Sequence, residues 1–184
     1  MSRCMDLLRT LHETDVSVSH SFDIAERIEY YTGLCEKTGG ISFEDVEAVH
    51  KNMIILLDLL KEIKSETCLC HIDSVADNFI ITADNKIKLI DWEYAGMADP
   101  IIDVAMCAIY SYYNKSQADE LLETYLKRKP LTDEYKKFYS YMALSGYLWA
   151  LWTVYKANVG EEFGEYSLKM YRYAKDFFNE VMKL

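Results

Sequence analysis

The chain has 184 residues, 51% apolar and 27% charged, with a net charge of −10. That length can bury a substantial core, and an acidic chain without a basic cluster argues against a partner recognised through its phosphate backbone. The richest apolar run, residues 53–60, carries Asp58 and is too short to span a membrane, and residues 1–3 lead into an amphipathic segment rather than a signal-peptide core. Five cysteines, with Cys68-x-Cys70 lacking both zinc-knuckle spacing and a second pair, read as buried reduced thiols, so a cytoplasmic location is expected.

In chain order, the periodicity predicts a first helix over about residues 3–13, with Met5, Leu7, Leu8 and Leu11 on one face. A second begins after Ser21, carries Ile24, Ile28, Tyr31 and Leu34, and stops at Gly39-Gly40. Ser42 and Asp45 resemble a capping box, with Asp in place of Glu, at the start of a long third helix. Its buried side is expected to hold Val46, Val49, Met53, Leu57 and Leu60. Pro100 suits the first turn of a fourth helix reaching about Tyr113, with Asp99 as N-cap. Ser116 starts a fifth, ended near Pro130; Thr132 opens a long sixth to about Asn158; a last helix follows Gly160. His12, His20 and His50 share no metal-ligand spacing and are expected in exposed or capping roles. Tyr30, Tyr31, Tyr139 and Tyr171 are expected to pack.

Between the third and fourth helices lies the segment that carries chemistry. His71, Asp73 and Asn78 are followed by two β-rich runs, residues 79–82 and 87–90, joined by a turn at Ala83, Asp84, Asn85 and Lys86. The second run ends on Asp91. The spacing H-x-D-x-x-x-x-N, then strand, turn, strand and Asp, is what a phosphoryl-transfer loop needs. One carboxylate sits near the acceptor hydroxyl, while an amide oxygen and a second carboxylate share a metal. A hairpin at 79–90 folds the chain back so that Asp91 returns towards Asp73 and Asn78. The fold expected is mainly α with a small β-hairpin, as a single domain over residues 1–184 with the catalytic loop and hairpin at 71–91.

With these residues in hand, the chain resembles the C-terminal lobe of choline kinases, within the protein-kinase-like and aminoglycoside-phosphotransferase group. The segments 71–78, 90–94 and Trp149-Ala150-Leu151-Trp152, followed by Phe163-Gly164, carry the resemblance, which extends over essentially the entire chain. It implies Asp73 as the base that orients or deprotonates the substrate hydroxyl, His71 as a shaper of the loop, and Asn78 and Asp91 as Mg²⁺ ligands, with ATP as donor. It also implies that Asp103 braces the loop, where helix-start electrostatics is the other reading. Trp149 and Trp152, three apart on one helix face, would read as core by spacing alone; the resemblance makes them walls for the quaternary ammonium of choline. Tyr110, Tyr113 and Tyr155 are open between such walls and packing, and Glu93 joins the substrate-binding set. Asp77 is expected in solvent.

The departures are as informative. No glycine-rich phosphate loop, strand Lys or partner Glu precedes residue 71, and Gly39-Gly40 lies between helical patterns. The N-terminal nucleotide lobe is therefore expected to be missing, as in a fragment, a truncated gene product or half of a split enzyme. Such a chain would bind ATP poorly by itself and turn over slowly or not at all. Trp92 stands where Phe is common after the metal-binding Asp, and Glu93-Tyr94 where protein kinases have Gly, both suiting small-molecule kinases. A phosphotransferase for another amino alcohol or an aminoglycoside is the enzyme alternative, and a non-catalytic choline-binding fragment the other. A surface left open by the missing lobe could pair with a second copy as a homo-oligomer.

Overall fold

The structure, a computed structural model, describes residues 2–184. In chain order the elements are α1 (Ser2–His12), α2 (Ile24–Thr38), α3 (Val46–Glu62), β1 (Cys68–Cys70), a 3₁₀ turn (Ala76–Asn78), β2 (Phe79–Ile81), β3 (Ile87–Leu89), β4 (Gly96–Ala98), α4 (Ile101–Tyr110), α5 (Lys115–Leu126), α6 (Thr132–Asn158) and α7 (Tyr166–Val181). They form two compact units, each from two stretches of chain. Unit 1 joins the residues up to Phe22 with Ser65–Tyr141, and unit 2 joins Asp23–Lys64 with Met142–Leu184. The fold is mostly helical, as expected.

Unit 1 is built around α4. Every residue from Ile101 to Ile109 is buried, which is the position of a helix apolar all round. α5 packs on α4 and on α1, burying Leu121, Leu122 and Tyr125 together with Met5 and Leu8. Asp99 caps α4, accepting the N–H of Ile101 at 2.9 Å. Its other oxygen takes the Ser65 hydroxyl at 2.6 Å and the Lys137 ammonium at 2.7 Å. This buried carboxylate thereby ties the start of α6 to the start of α4.

The sheet content exceeds the single expected hairpin. β2 and β3 pair antiparallel with Ile80 opposite Lys88, and Asn85 makes the turn at φ 59°. A second antiparallel pair joins β1 to β4, with Leu69 opposite Met97. It closes the whole stretch from residue 71 to 95 into a loop fixed at both ends. Three-residue strands of Cys-Leu-Cys and Gly-Met-Ala carry too little alternation to be read as strands.

In unit 2, α3 packs on α7. The buried face of α3 is Val49, Met53 and Leu56, rotated from the expected Leu57 and Leu60, and Ile54 and Ile55 are exposed. The capping box at Ser42 does not form. The helix starts at Val46, and Asp45 makes no side-chain cap bond; its carboxylate instead accepts the Tyr171 hydroxyl at 2.7 Å and the Lys175 ammonium at 2.9 Å. α2 is capped by Asp23, which accepts the N–H groups of Ala25 and Glu26. α5 begins a residue before Ser116, capped by Asn114 with a reciprocal bond from Gln117. Tyr139 and Tyr171 are buried, whereas Tyr30 is 55% exposed and packs only edge-on to Tyr31.

Candidate active site

The loop after β1 is held by one buried carboxylate. Asp103 is fully buried in the first turn of α4. Its Oδ2 accepts the backbone N–H of His71 at 2.8 Å and its Oδ1 that of Ile72 at 2.6 Å. His12 Nε2 lies 2.8 Å from Oδ2, and the Ser74 hydroxyl donates to the Asp103 carbonyl at 2.6 Å. Bonds to a charged acceptor in a dry site are the strong ones. They hold Ile72 at φ 72°, a left-handed conformation that a β-branched residue adopts only when its surroundings compel it. Helix-start electrostatics does not describe these contacts, because Asp103 bonds the loop directly.

Beyond Ile72 the chain turns through the 3₁₀ segment. Asn78 is buried, and its Nδ2 donates to both the backbone carbonyl and Oδ2 of Asp73, each at 2.9 Å. Both amide protons are thus committed to Asp73, and Asn78 Oδ1 remains as a neutral oxygen donor. Asp73 is half-buried and Asp77 exposed.

The hairpin then returns the chain. Ile90 donates its N–H to the Asn78 carbonyl at 3.0 Å, and its own carbonyl accepts from His71 Nε2 at 2.8 Å. A carbonyl only accepts, so Nε2 carries the His71 proton. His71 also packs edge-on against Trp92 with ring centroids 4.7 Å apart. Asp91 follows directly, exposed and at φ 64°. Ile90, the residue preceding it, is therefore bonded to the loop through both its N–H and its carbonyl. Glu93 is exposed two residues later, and Ile80, Ile81, Ile90 and Trp92 make an exposed apolar surface around the hairpin and its exit.

Unit 1 thus brings His71, Asp73, Asn78, the start of the Asp91 turn and Asp103 together. Tyr110 ends α4 and is half-buried, as is Tyr113 just beyond it. In unit 2, Trp149 and Trp152 lie on α6 with ring centroids 5.8 Å apart at 81°. Trp152 meets Phe163 at 4.7 Å, and Lys156 Nζ sits 5.8 Å from the Trp152 centroid. Trp149 is buried, Trp152 half-buried and Phe163 exposed. Tyr155 packs at 6.3 Å against Tyr31.

Sequence reading missed His12. It was expected to be exposed or capping, yet its side chain is 3% exposed and spans Asp103 and the Tyr125 hydroxyl, the latter at 2.7 Å from Nδ1. A histidine at the end of an amphipathic helix carries no signal that its partner lies 91 residues away.

A kinase-type loop on a helical scaffold is the arrangement found here, and residues 2–138 match the phosphotransferase enzyme family (APH); the chain belongs to that family. Within it, the chain is 30% identical over 180 residues to Protein LicA of Haemophilus influenzae, covering 92% of this chain and 65% of that protein. It superposes on choline kinase LicA from Streptococcus pneumoniae with a TM-score of 0.84 at 29% identity, over 97% of this chain and 63% of that one. A structure of LicA in complex with AMP gives 0.83 at 29% identity, over 96% and 61%. The chain therefore spans less than two thirds of the length of these relatives. The likeness to choline kinases stated from the motifs is borne out by these matches. Among the described residues, no helix is long and apolar enough to cross a membrane.

Proposed function

We propose that this chain carries the catalytic and substrate-binding part of a choline kinase, which transfers the γ-phosphate of ATP to choline and yields phosphocholine. The observation that carries the reading is the Asp73–Asn78 pair, with the Asp91 turn bonded back onto it and Asp103 bracing the loop from behind. The likeness to proteins described as choline kinases supports the acceptor alcohol, and the AMP complex of a relative supports an adenine nucleotide as donor.

Asp73 is the group that receives or orients the acceptor hydroxyl. Asn78 holds it, and Asn78 Oδ1 with the Asp91 carboxylate form the hard-oxygen donor set that suits Mg²⁺. Such an ion, when bound, neutralises charge on the phosphate oxygens. The protein's remaining work is positional: it sets the acceptor oxygen in line with the phosphorus. His71 fixes the peptide of Ile90, and so the direction in which Asp91 leaves the hairpin. The apolar surface of Ile80, Ile81, Ile90 and Trp92 is where a preceding nucleotide lobe would meet this chain.

For the acceptor, a quaternary ammonium donates no hydrogen bond and is best met by aromatic faces, each worth about 0.5–2 kcal/mol. Trp149, Trp152 and Phe163 supply such faces, and the lysine already lying over Trp152 supports that role. Tyr155 in unit 2 and Tyr110 and Tyr113 in unit 1 are further aromatic candidates for this role, and Glu93 would add negative charge for a cationic substrate.

Tryptophan fluorescence titrated with choline, ethanolamine and kanamycin tests the acceptor. Choline is expected to quench saturably and most strongly, with the response lost in Trp152→Ala; preferential quenching by kanamycin would transfer the assignment to an aminoglycoside. Choline-dependent ADP release in the whole protein is expected to fall about a hundredfold or more in Asp73→Asn. Unchanged turnover in that variant would remove Asp73 from the chemistry.

A further inference from the structure

Outside the proposed active site, the described residues of unit 1 contain one cluster of soft ligand atoms. A ring nitrogen of His12 and the Sγ atoms of Cys68 and Cys70 lie within 4.8 Å of one another. The cysteines alternate along β1, so both thiols share one face of the strand. α1 packs against β1 and brings the end of its last turn, His12, to that face. From the juxtaposition of His12, Cys68 and Cys70 we infer a binding site for a thiophilic divalent cation of the zinc class, with three protein ligands and a fourth position left for solvent.

Three features support it. First, the two Sγ atoms are 3.7 Å apart. With metal–sulfur bonds of about 2.3 Å, the edge of a tetrahedral zinc site between two thiolates is about 3.8 Å, so the thiols already stand at ligand spacing. Second, His12 is oriented as a ligand needs. The Asp103 carboxylate can only accept, so Nε2 carries a proton, which makes Nδ1 the ring atom a cation would take. A neutral imidazole braced by a carboxylate is the arrangement that orients histidine ligands in metalloproteins. The Tyr125 hydroxyl, now 2.7 Å from Nδ1, is the group the cation would displace.

Third, the charge suits a dication. Binding releases both thiol protons to solvent and leaves two thiolates and a neutral ring around the ion, with no net charge to bury. Cys70 and the His12 side chain are enclosed, while Cys68 is half-exposed and provides the way in. Because Asp103 touches both His12 and the amides of His71 and Ile72, this site adjoins the loop without sharing any of its proposed Mg²⁺ ligands.

The test is titration of the reduced, metal-free chain with Co²⁺, followed by Zn²⁺. One Co²⁺ per chain is expected, with a thiolate-to-cobalt charge-transfer band that Zn²⁺ then abolishes. Cys68→Ser should weaken binding by more than the about 10- to 100-fold that an outer partner is worth. The Cys68→Ser/Cys70→Ser chain should show no band, and Cys4→Ser should leave it unchanged, with circular dichroism verifying each fold. If the double variant does not fold, alkylation of the unsubstituted chain decides. Stoichiometric Zn²⁺ is expected to protect Cys68 and Cys70 but not Cys4, read by peptide mass spectrometry. Absence of a band at stoichiometric Co²⁺, a band that survives removal of both thiols, or alkylation of Cys68 unaffected by Zn²⁺ would each overturn the inference. None of these readouts depends on phosphotransferase activity.

Discussion

Asp103 carries more of the site's geometry than any group that would touch substrate. Two backbone amides and His12 converge on its carboxylate, and the left-handed Ile72, itself one of those amide donors, leads directly into Asp73. In Asp103→Asn, an amide NH₂ replaces one acceptor and faces a donor, leaving a buried N–H without a partner. A loss of about 3 kcal/mol is expected, since bonds to a buried charge are worth about 1.5–3 kcal/mol each. Urea unfolding gives the size of the effect. Hydrogen exchange gives its location: His71 and Ile72 should lose protection before the α4 amides do.

Among the elements, α6 shows most clearly how packing outranks local preference. Gly146 stands in the middle of this 27-residue helix, where glycine costs about 1 kcal/mol relative to alanine. A Cβ there would lie 2.7 Å from the Met170 carbonyl oxygen and 2.7 Å from Tyr173 Cβ. Glycine lets α6 and α7 approach that closely. Gly146→Ala is therefore expected to destabilise by about 1–3 kcal/mol despite its better helix propensity, as overpacked cores do, with the melting temperature as readout. Elements with a period of their own were legible in sequence, which is why seven helices and the β2–β3 hairpin were anticipated. Those that depend on a distant partner were not. The β1–β4 pair joins residues 30 apart in sequence at Cys68 and Ala98, and the face of α3 is set by α7 rather than by its own hydrophobic count. Of the candidate site, residue types and spacing were readable along the chain. The bonds that order it were not, because Asp103, His12 and Ser74 reach the loop through the fold.

Across the whole molecule, both units bury an acidic group that must stay protonated. Burial pushes the Cys107 thiol in unit 1 from its usual 9.0 up to about 12, and the Tyr147 phenol in unit 2 from 10.0 up to about 12. In the unfolded chain each ionises at its ordinary value, so the folded state holds the extra proton. The stability this contributes is fully present below about pH 9 and is lost as pH rises towards 12. The melting temperature should accordingly fall from pH 9 upward, and more gently in Cys107→Ala; an identical slope in that variant would show that Cys107 is not among the groups responsible.

The interleaving of the two units, each drawn from two separate stretches of chain, bears on how the protein is made. By the time a ribosome has added Tyr141, every residue of unit 1 has been synthesised. α2 and α3 emerge far earlier, yet Val49, Met53 and Leu56 gain their covering helix only when α7 is added. Until then the apolar face of α3 waits uncovered, while every residue of unit 1 is already present.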